Sequence, residues 1–254
     1  LHIDHTGVTT HHADAYLSVE VPRTGIYYVQ VSDAQQRGGD DYGYRLRLSP
    51  PLPDYALRVT PSMVNVPRGG VVPLTVYALR QDGFDGEIVL ALKRAPKGLE
   101  LKGGTIPAGA THARVTLVAP FKQPSSPLSL RLEGVAKHEG KVLRRAAVPA
   151  DNVMQAFLWR HLVPVEDWMV SVGGKSRMFL KADRPPKGPL LLPAGTNTVV
   201  VLRNGNPKKP IRARPRFELQ DPPEGMTLSK SVFRAKNKEA ALHIAIDPDK
   251  LAPG

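Results

Sequence analysis

Histidines and carboxylates crowd the front of the chain. His2, His5, His11 and His12 stand beside Asp4 and Asp14, and these are the donor types that hold zinc or a similar cation. Their spacing fits no established metal motif, and a polar loop is the plainer reading. Asp33, Asp40 and Asp41 flank Arg37-Gly38-Gly39 and offer carboxylate oxygens to calcium, an ion that takes roughly six to eight oxygen ligands. Three carboxylates fill only part of such a shell, so a solvated turn competes with a calcium site. Asp82 and Asp85, each beside a glycine, raise the same two readings, with the turn ahead. The expectation is no cofactor, with calcium at Asp33, Asp40 and Asp41 as the alternative.

Bond-making chemistry finds less support. Gly173-Gly174-Lys175-Ser176 has the tail of a phosphate loop, but Met169 occupies the place of its first glycine and no strand-to-helix context surrounds it. A hairpin turn is expected there. A serine nucleophile needs a base and an acid around a strained turn, and the chain has no G-x-S-x-G element. His138-Glu139 lacks the second histidine of a zinc-protease helix. Carboxylate pairs gathered from distant residues stay open as a sequence reading. No catalytic residue is assigned, and the chain is expected not to be an enzyme.

The aromatic stretch from 149 to 164 gives the interface candidates. Phe157, Trp159 and Arg160, with Trp168 beyond them, read either as a connector packed between domains or as a platform stacking on a ligand. With Lys208 and Lys209 they outline a site for acidic polysaccharide. The net charge of +12 favours acidic partners generally. Yet aromatics are only 6% of the chain and the basic residues are spread along it, unlike a specific nucleic-acid binder.

The elements that must position these residues read as strands. Tyr16 to Val21, Ile26 to Val31 and Tyr42 to Leu48 alternate apolar and polar residues, with Pro22 to Gly25 as a turn and Pro50-Pro51 as a stop. A second series follows: Tyr55 to Thr60, Met63 to Val66, Val71 to Leu79, Glu87 to Leu92, Ala113 to Ala119, Leu128 to Ala136 and Val142 to Val148. Arg68-Gly69-Gly70, Pro96-Lys97-Gly98 and Pro107-Ala108-Gly109 supply its turns. Part of that series recurs. Leu192-Pro193-Ala194-Gly195 matches Val66-Pro67-Arg68-Gly69, Pro222 to Met226 matches Ala95 to Leu99, and Ala241 to Pro248 matches Val115 to Pro120.

The stretch from Asp14 through Val31, with Tyr42 to Leu48, resembles the C-terminal half of the bacterial pre-peptidase C-terminal domain. That resemblance implies a small β-sandwich appended to a secreted protease or other exported protein, aiding secretion or substrate contact. Through the opening Pro53 to Pro61, the run Arg80 to Ile88 and the stretch Ala150 to Pro164, residues 53 to 170 are similar to immunoglobulin-like units found beside such domains in large exported proteins, and no catalytic residues are implied by them.

The expected fold is all-β: tandem immunoglobulin-like β-sandwiches preceded by a partial, jelly-roll-like β-sandwich segment. The expected boundaries are 1–50 for the partial domain, 51–150 for the first sandwich, 151–187 for the connector and first strands of the next domain, and 188–254 for a second, truncated sandwich. With 25 prolines, 22 glycines and no cysteine, stability must come from packing and tight turns. No apolar run is long enough to span a bilayer as a helix. The expected function is a non-catalytic scaffold or interaction module of a larger secreted, periplasmic or cell-surface bacterial protein. Its expected partners are other domains of the parent protein or other protein chains. An accessory region of a secreted protease and a carbohydrate or polyanion binder are the alternatives.

Overall fold

The computed structural model describes residues 8–9, 17, 19–33, 35–122, 126–155, 159–175, 180–182, 191–205, 215–219, 222–234 and 239–250. Two units divide it, 1–173 and 174–254. The protein is all-β.

In the first unit the two-residue alternation of apolar side chains decides which face of each strand turns inward. β1 is Val8–Thr9, β2 Asp54–Thr60, β3 Met63–Arg68, β4 Val71–Gln81 and β5 Ile88–Lys93. The short β6 Glu100–Lys102 and β7 Thr105–Ile106 precede β8 His112–Val118 and β9 Leu128–His138. β10 Lys141–Gln155, β11 Trp159–Pro164 and β12 Trp168–Lys175 follow. Tyr55, Leu57 and Val59 from β2, Leu74 and Val76 from β4, and Leu130 and Leu132 from β9 all enter one apolar core. Each such side chain, fully buried, contributes about 1.5–3 kcal/mol.

One continuous path joins the strands in the order β3-β12-β9-β10-β2-β4-β8-β6, with β5 beside β9 and β7 beside β5. β10 closes it. Residues 141–146 of this strand pair with β9, 147–149 run parallel to β2, and 150–155 pair with β11. The close approach of β9 to β2 requires a glycine. A Cβ on Gly134 would lie 2.5 Å from Leu57 Cδ1 and 2.9 Å from Ile88 Cγ2.

In the second unit β13 Leu180–Ala182, β14 Asn197–Asn204, β15 Met226–Arg234 and β16 Glu239–Ile246 form a sheet in the order β13-β14-β16-β15. This reproduces β2-β4-β8-β6, antiparallel at every step in both. The latches match too. Ala119 N–H donates to Gly70 O at 2.9 Å and Ile246 N–H to Thr196 O at 3.2 Å, while Leu99 N–H reaches Pro96 O at 3.1 Å and Met226 N–H reaches Pro223 O at 3.0 Å. Gly98 and Gly225 hold φ of 85° and 86° in the matching turns, a region that suits glycine. The repeat read in the sequence is therefore a repeat of strand order and turn geometry.

Three expectations need correction. None of the described residues between 17 and 50 joins a strand, and all are exposed; Ile26 and Tyr28 are 85% and 93% exposed. Alternation there gives an apolar face, but no described layer covers it, and an uncovered hairpin is marginal in water. The boundary expected at 150 falls inside β10, and the supposed connector is strand instead: 150–155 pair with β11 in a hairpin. Gly173 and Gly174 lie within β12 rather than at a hairpin turn; Ser176 lies outside the described residues.

Candidate functional site

The predicted ligand groups have local work. Asp33 Oδ2 accepts from the backbone N–H of Gln35 at 2.9 Å and of Arg37 at 3.2 Å, an arrangement typical of an aspartate capping its own turn. Asp40 and Asp41 are exposed, and among the described residues no three His, Asp or Glu side chains gather where a metal ion could be held. The histidines and aspartates of 2–14 lie outside the described residues. Asp82 Oδ2 accepts from Leu52 N–H at 2.9 Å. His138 meets Phe84 edge-on, with ring centroids 5.8 Å apart, and Glu139 forms the β9–β10 turn at φ 47°.

Of the interface candidates, Arg160 is exposed on β11. Trp159 lies on the same strand, and Phe157, Lys208 and Lys209 fall outside the described residues. Trp168 must be withdrawn. It is 2% exposed, among the largest fully buried side chains, and packs in the core of the first unit with Val170 and Val172. Its indole Nε1 is buried without a partner. The alternation of 168–172 carries the signal for this, because β12 pairs with β9 at Trp168↔Leu130 and so shares its inward face.

Sequence reasoning missed the polar groups that fasten the first unit. Arg80 lies along β4 with its guanidinium fork donating to three carbonyls: Ala110 O at 3.0 Å, Gly86 O at 2.8 Å and Pro107 O at 2.9 Å. It also sits 5.4 Å from the Phe84 ring centroid, and its burial lowers its pKa. Tyr55 Oη donates toward Gly134 O at 2.7 Å and Leu143 O at 3.1 Å, bridging β9 and β10. Burial of that hydroxyl pushes its pKa up to about 12. Buried polar groups of this kind hold a fold only when satisfied, and here backbone carbonyls satisfy them.

The outer face of β5, β9 and β10 is different in character. Arg131, Glu133, Val135 and Lys137 alternate with buried Leu130, Leu132, Gly134 and Ala136. Register places Lys93 beside Arg131 and Arg144 beside Val135. Glu133 bonds Lys93 Nζ at 2.9 Å and Arg144 Nη1 at 3.3 Å. The Lys93 hydrogen bond, with Arg144 adding to it, holds its carboxyl below the usual range. One carboxylate therefore shares this outward face with four cations, two of which it bonds. In the second unit an open groove of about 530 Å³ is lined by Thr196, Glu224, Asp247 and Lys250, with Lys250 Nζ 3.7 Å from Asp247.

No family model and no curated protein matches the chain, so the resemblance to the pre-peptidase C-terminal domain gains no support from them. Among solved structures the chain is similar to domains 5–6 of the S-layer protein SbsC, with 11% identity and a TM-score of 0.30 over 78% of this chain and 87% of that one. It is also similar to domains 4–9 of the surface layer protein SbsC, with 12% identity and a TM-score of 0.30 over 77% of this chain and 27% of that one. Likeness at that level carries no argument about function. Among the described residues no helix is long and apolar enough to cross a membrane.

Proposed function

We propose that the chain is a non-catalytic scaffold module that spaces or presents neighbouring domains of an exported or cell-surface protein. The observation that carries this reading is where three buried or half-buried polar side chains of the first unit point. Arg80, Tyr55 and Ser62 are all spent on the unit's own carbonyls and carboxylates, around a core filled by apolar side chains. Side chains committed to fastening strands are not free to bind a substrate. The exported or cell-surface setting rests on the resemblance of the front segment, and the partners are other domains or chains.

A spacer must be folded without a ligand. Calorimetry of the chain alone, with and without a chelator, is expected to show a cooperative transition of the first unit that the chelator leaves unmoved. A transition that emerges only on adding calcium or another small molecule refutes the reading.

A second reading, retention of acidic polysaccharide, is favoured by the cationic face around Glu133. Elution of the chain from a heparin column is expected to need less salt after Arg131→Glu with Lys137→Glu. Unchanged elution removes this face from consideration.

A further inference from the structure

We propose that the first unit carries tension along its length; this rests on the scaffold reading and gives it a mechanical task. The inference starts from strand direction. β2 runs parallel to β10, β10 antiparallel to β9, and β9 antiparallel to β12, so β12 points the same way as β2. Past the two-residue β1, which pairs with β11, the chain therefore comes into the core strands at one pole, at Asp54, and leaves them at the other, beyond Val172. A pull on these two ends drags β2 and β12 lengthwise against their neighbours. Ladder hydrogen bonds between antiparallel strands lie perpendicular to the strands, so such a pull loads them together, whereas a pull that parts two strands from one end breaks them in turn.

Both loaded strands, β2 and β12, are held against that slide. β2 pairs with β4 from Asp54↔Gln81 to Thr60↔Thr75 and with β10 from Leu57↔Ala147 to Val59↔Pro149. Side chains of β10 grip it at either end. Arg145 donates from Nε at 3.1 Å and Nη2 at 2.5 Å to Asp54 Oδ2. Asp151 Oδ1 accepts from Ser62 Oγ at 2.6 Å and from Ser62 N–H at 3.3 Å. Ser62, in the bend just after β2, is 3% exposed, and its carbonyl accepts from Met169 N–H at 3.0 Å, so one buried serine ties the far end of β2 to β10 and to β12. On β12, Trp168, Val170 and Val172 are all buried. A slip of one residue would turn all three outward.

The chain has no cysteine, so introduced pairs give unique handles on the full-length protein. Leu52→Cys with Lys175→Cys pulls pole to pole. Leu52→Cys with Lys141→Cys pulls at one pole, where β10 begins against β9 and β2 enters, and parts the strands from their ends. In an optical trap at one fixed load, the pole-to-pole pair is expected to survive at least about tenfold longer. Asp151→Asn is expected to shorten the pole-to-pole lifetime about ten- to hundredfold, as loss of a charge-assisted hydrogen bond predicts, and to leave the one-pole lifetime nearly unchanged. If that variant does not fold, Ser62→Ala makes the same test. Equal lifetimes in the two geometries, or a variant that shortens both alike, overturn the proposal. Failure here with ligand-free folding intact leaves the scaffold reading standing.

Discussion

Replacing Tyr55 with phenylalanine separates two contributions of one hydroxyl. The ring stays, 5.2 Å from Phe84 between centroids, while Gly134 O and Leu143 O lose the donor they share. Loss of a buried hydrogen bond of this kind costs about 1–3 kcal/mol at neutral pH. The second contribution depends on pH. Burial raises the Tyr55 pKa from 10.0 to about 12, against an opposing pull from the Arg145 charge. A group whose pKa is higher folded than unfolded holds its proton more tightly in the folded state. Its stabilisation is therefore whole below pH 10 and is lost as pH rises toward 12. That span corresponds to about 2–3 kcal/mol. Urea unfolding followed by tryptophan fluorescence, with buried Trp168 as reporter, gives the stability of both proteins from pH 7 to pH 12. The difference between them is expected to hold steady to about pH 10 and then shrink. Taking the difference removes the lysines and the other tyrosines, which titrate alike in both. Parallel curves across the whole range would falsify the argument that this hydroxyl is buried and bonded as described.

Gly134→Ala is expected to lower stability by about 1–3 kcal/mol, because Leu57 and Ile88 are fully buried and have no room to yield to the new Cβ; a thermal melt as stable as the parent's would deny the close approach. Arg80→Lys is expected to cost nearly as much as Arg80→Met, about 2–4 kcal/mol, because an ammonium cannot span three carbonyls as a guanidinium fork does. Hydrogen exchange should then quicken around 84–86 and 107–110, and full protection in the lysine variant would contradict this. Glu133 has a lowered pKa, so its contribution is present above the ordinary carboxylate pKa and fades as pH falls through the folded value. Glu133→Gln is expected to flatten the acid limb of the stability curve below about pH 4.5, and an unchanged limb would argue against the Lys93 and Arg144 pairing.

Much of the first unit was legible because its signal is local. Tyr55, Leu57 and Val59 alternate with exposed or half-buried neighbours, and Gly69, Gly98 and Gly109 stand where positive φ is needed. Those two facts place the strands and the turns between them. The described residues from 17 to 50 carry the same alternation without forming strands, since alternation announces an apolar face and says nothing about what covers it. Trp168 was misread for the converse reason. Its neighbours in sequence suggested a connector, while its burial depends on pairing with Leu130. The Arg80 fork was illegible because its acceptors, Pro107 and Ala110, lie well away along the chain and are backbone atoms that leave no mark in residue identity. The link between Ser62 and Asp151 joins residues 89 apart and is equally silent in one sequence.

The threefold membership of β10 limits how this unit can vary. An insertion between Arg145 and Asp151 would shift the frame of its pairing to β9, β2 or β11 relative to the other two, and a strand offers no slack to absorb one extra residue without a bulge. Length differences are better tolerated at Glu139-Gly140, where the chain reverses in the open and a Cβ on the glycine would meet nothing within 4 Å. A foreign loop grafted there should leave the sheet intact, which makes this turn the natural place to attach a tag or a displayed peptide.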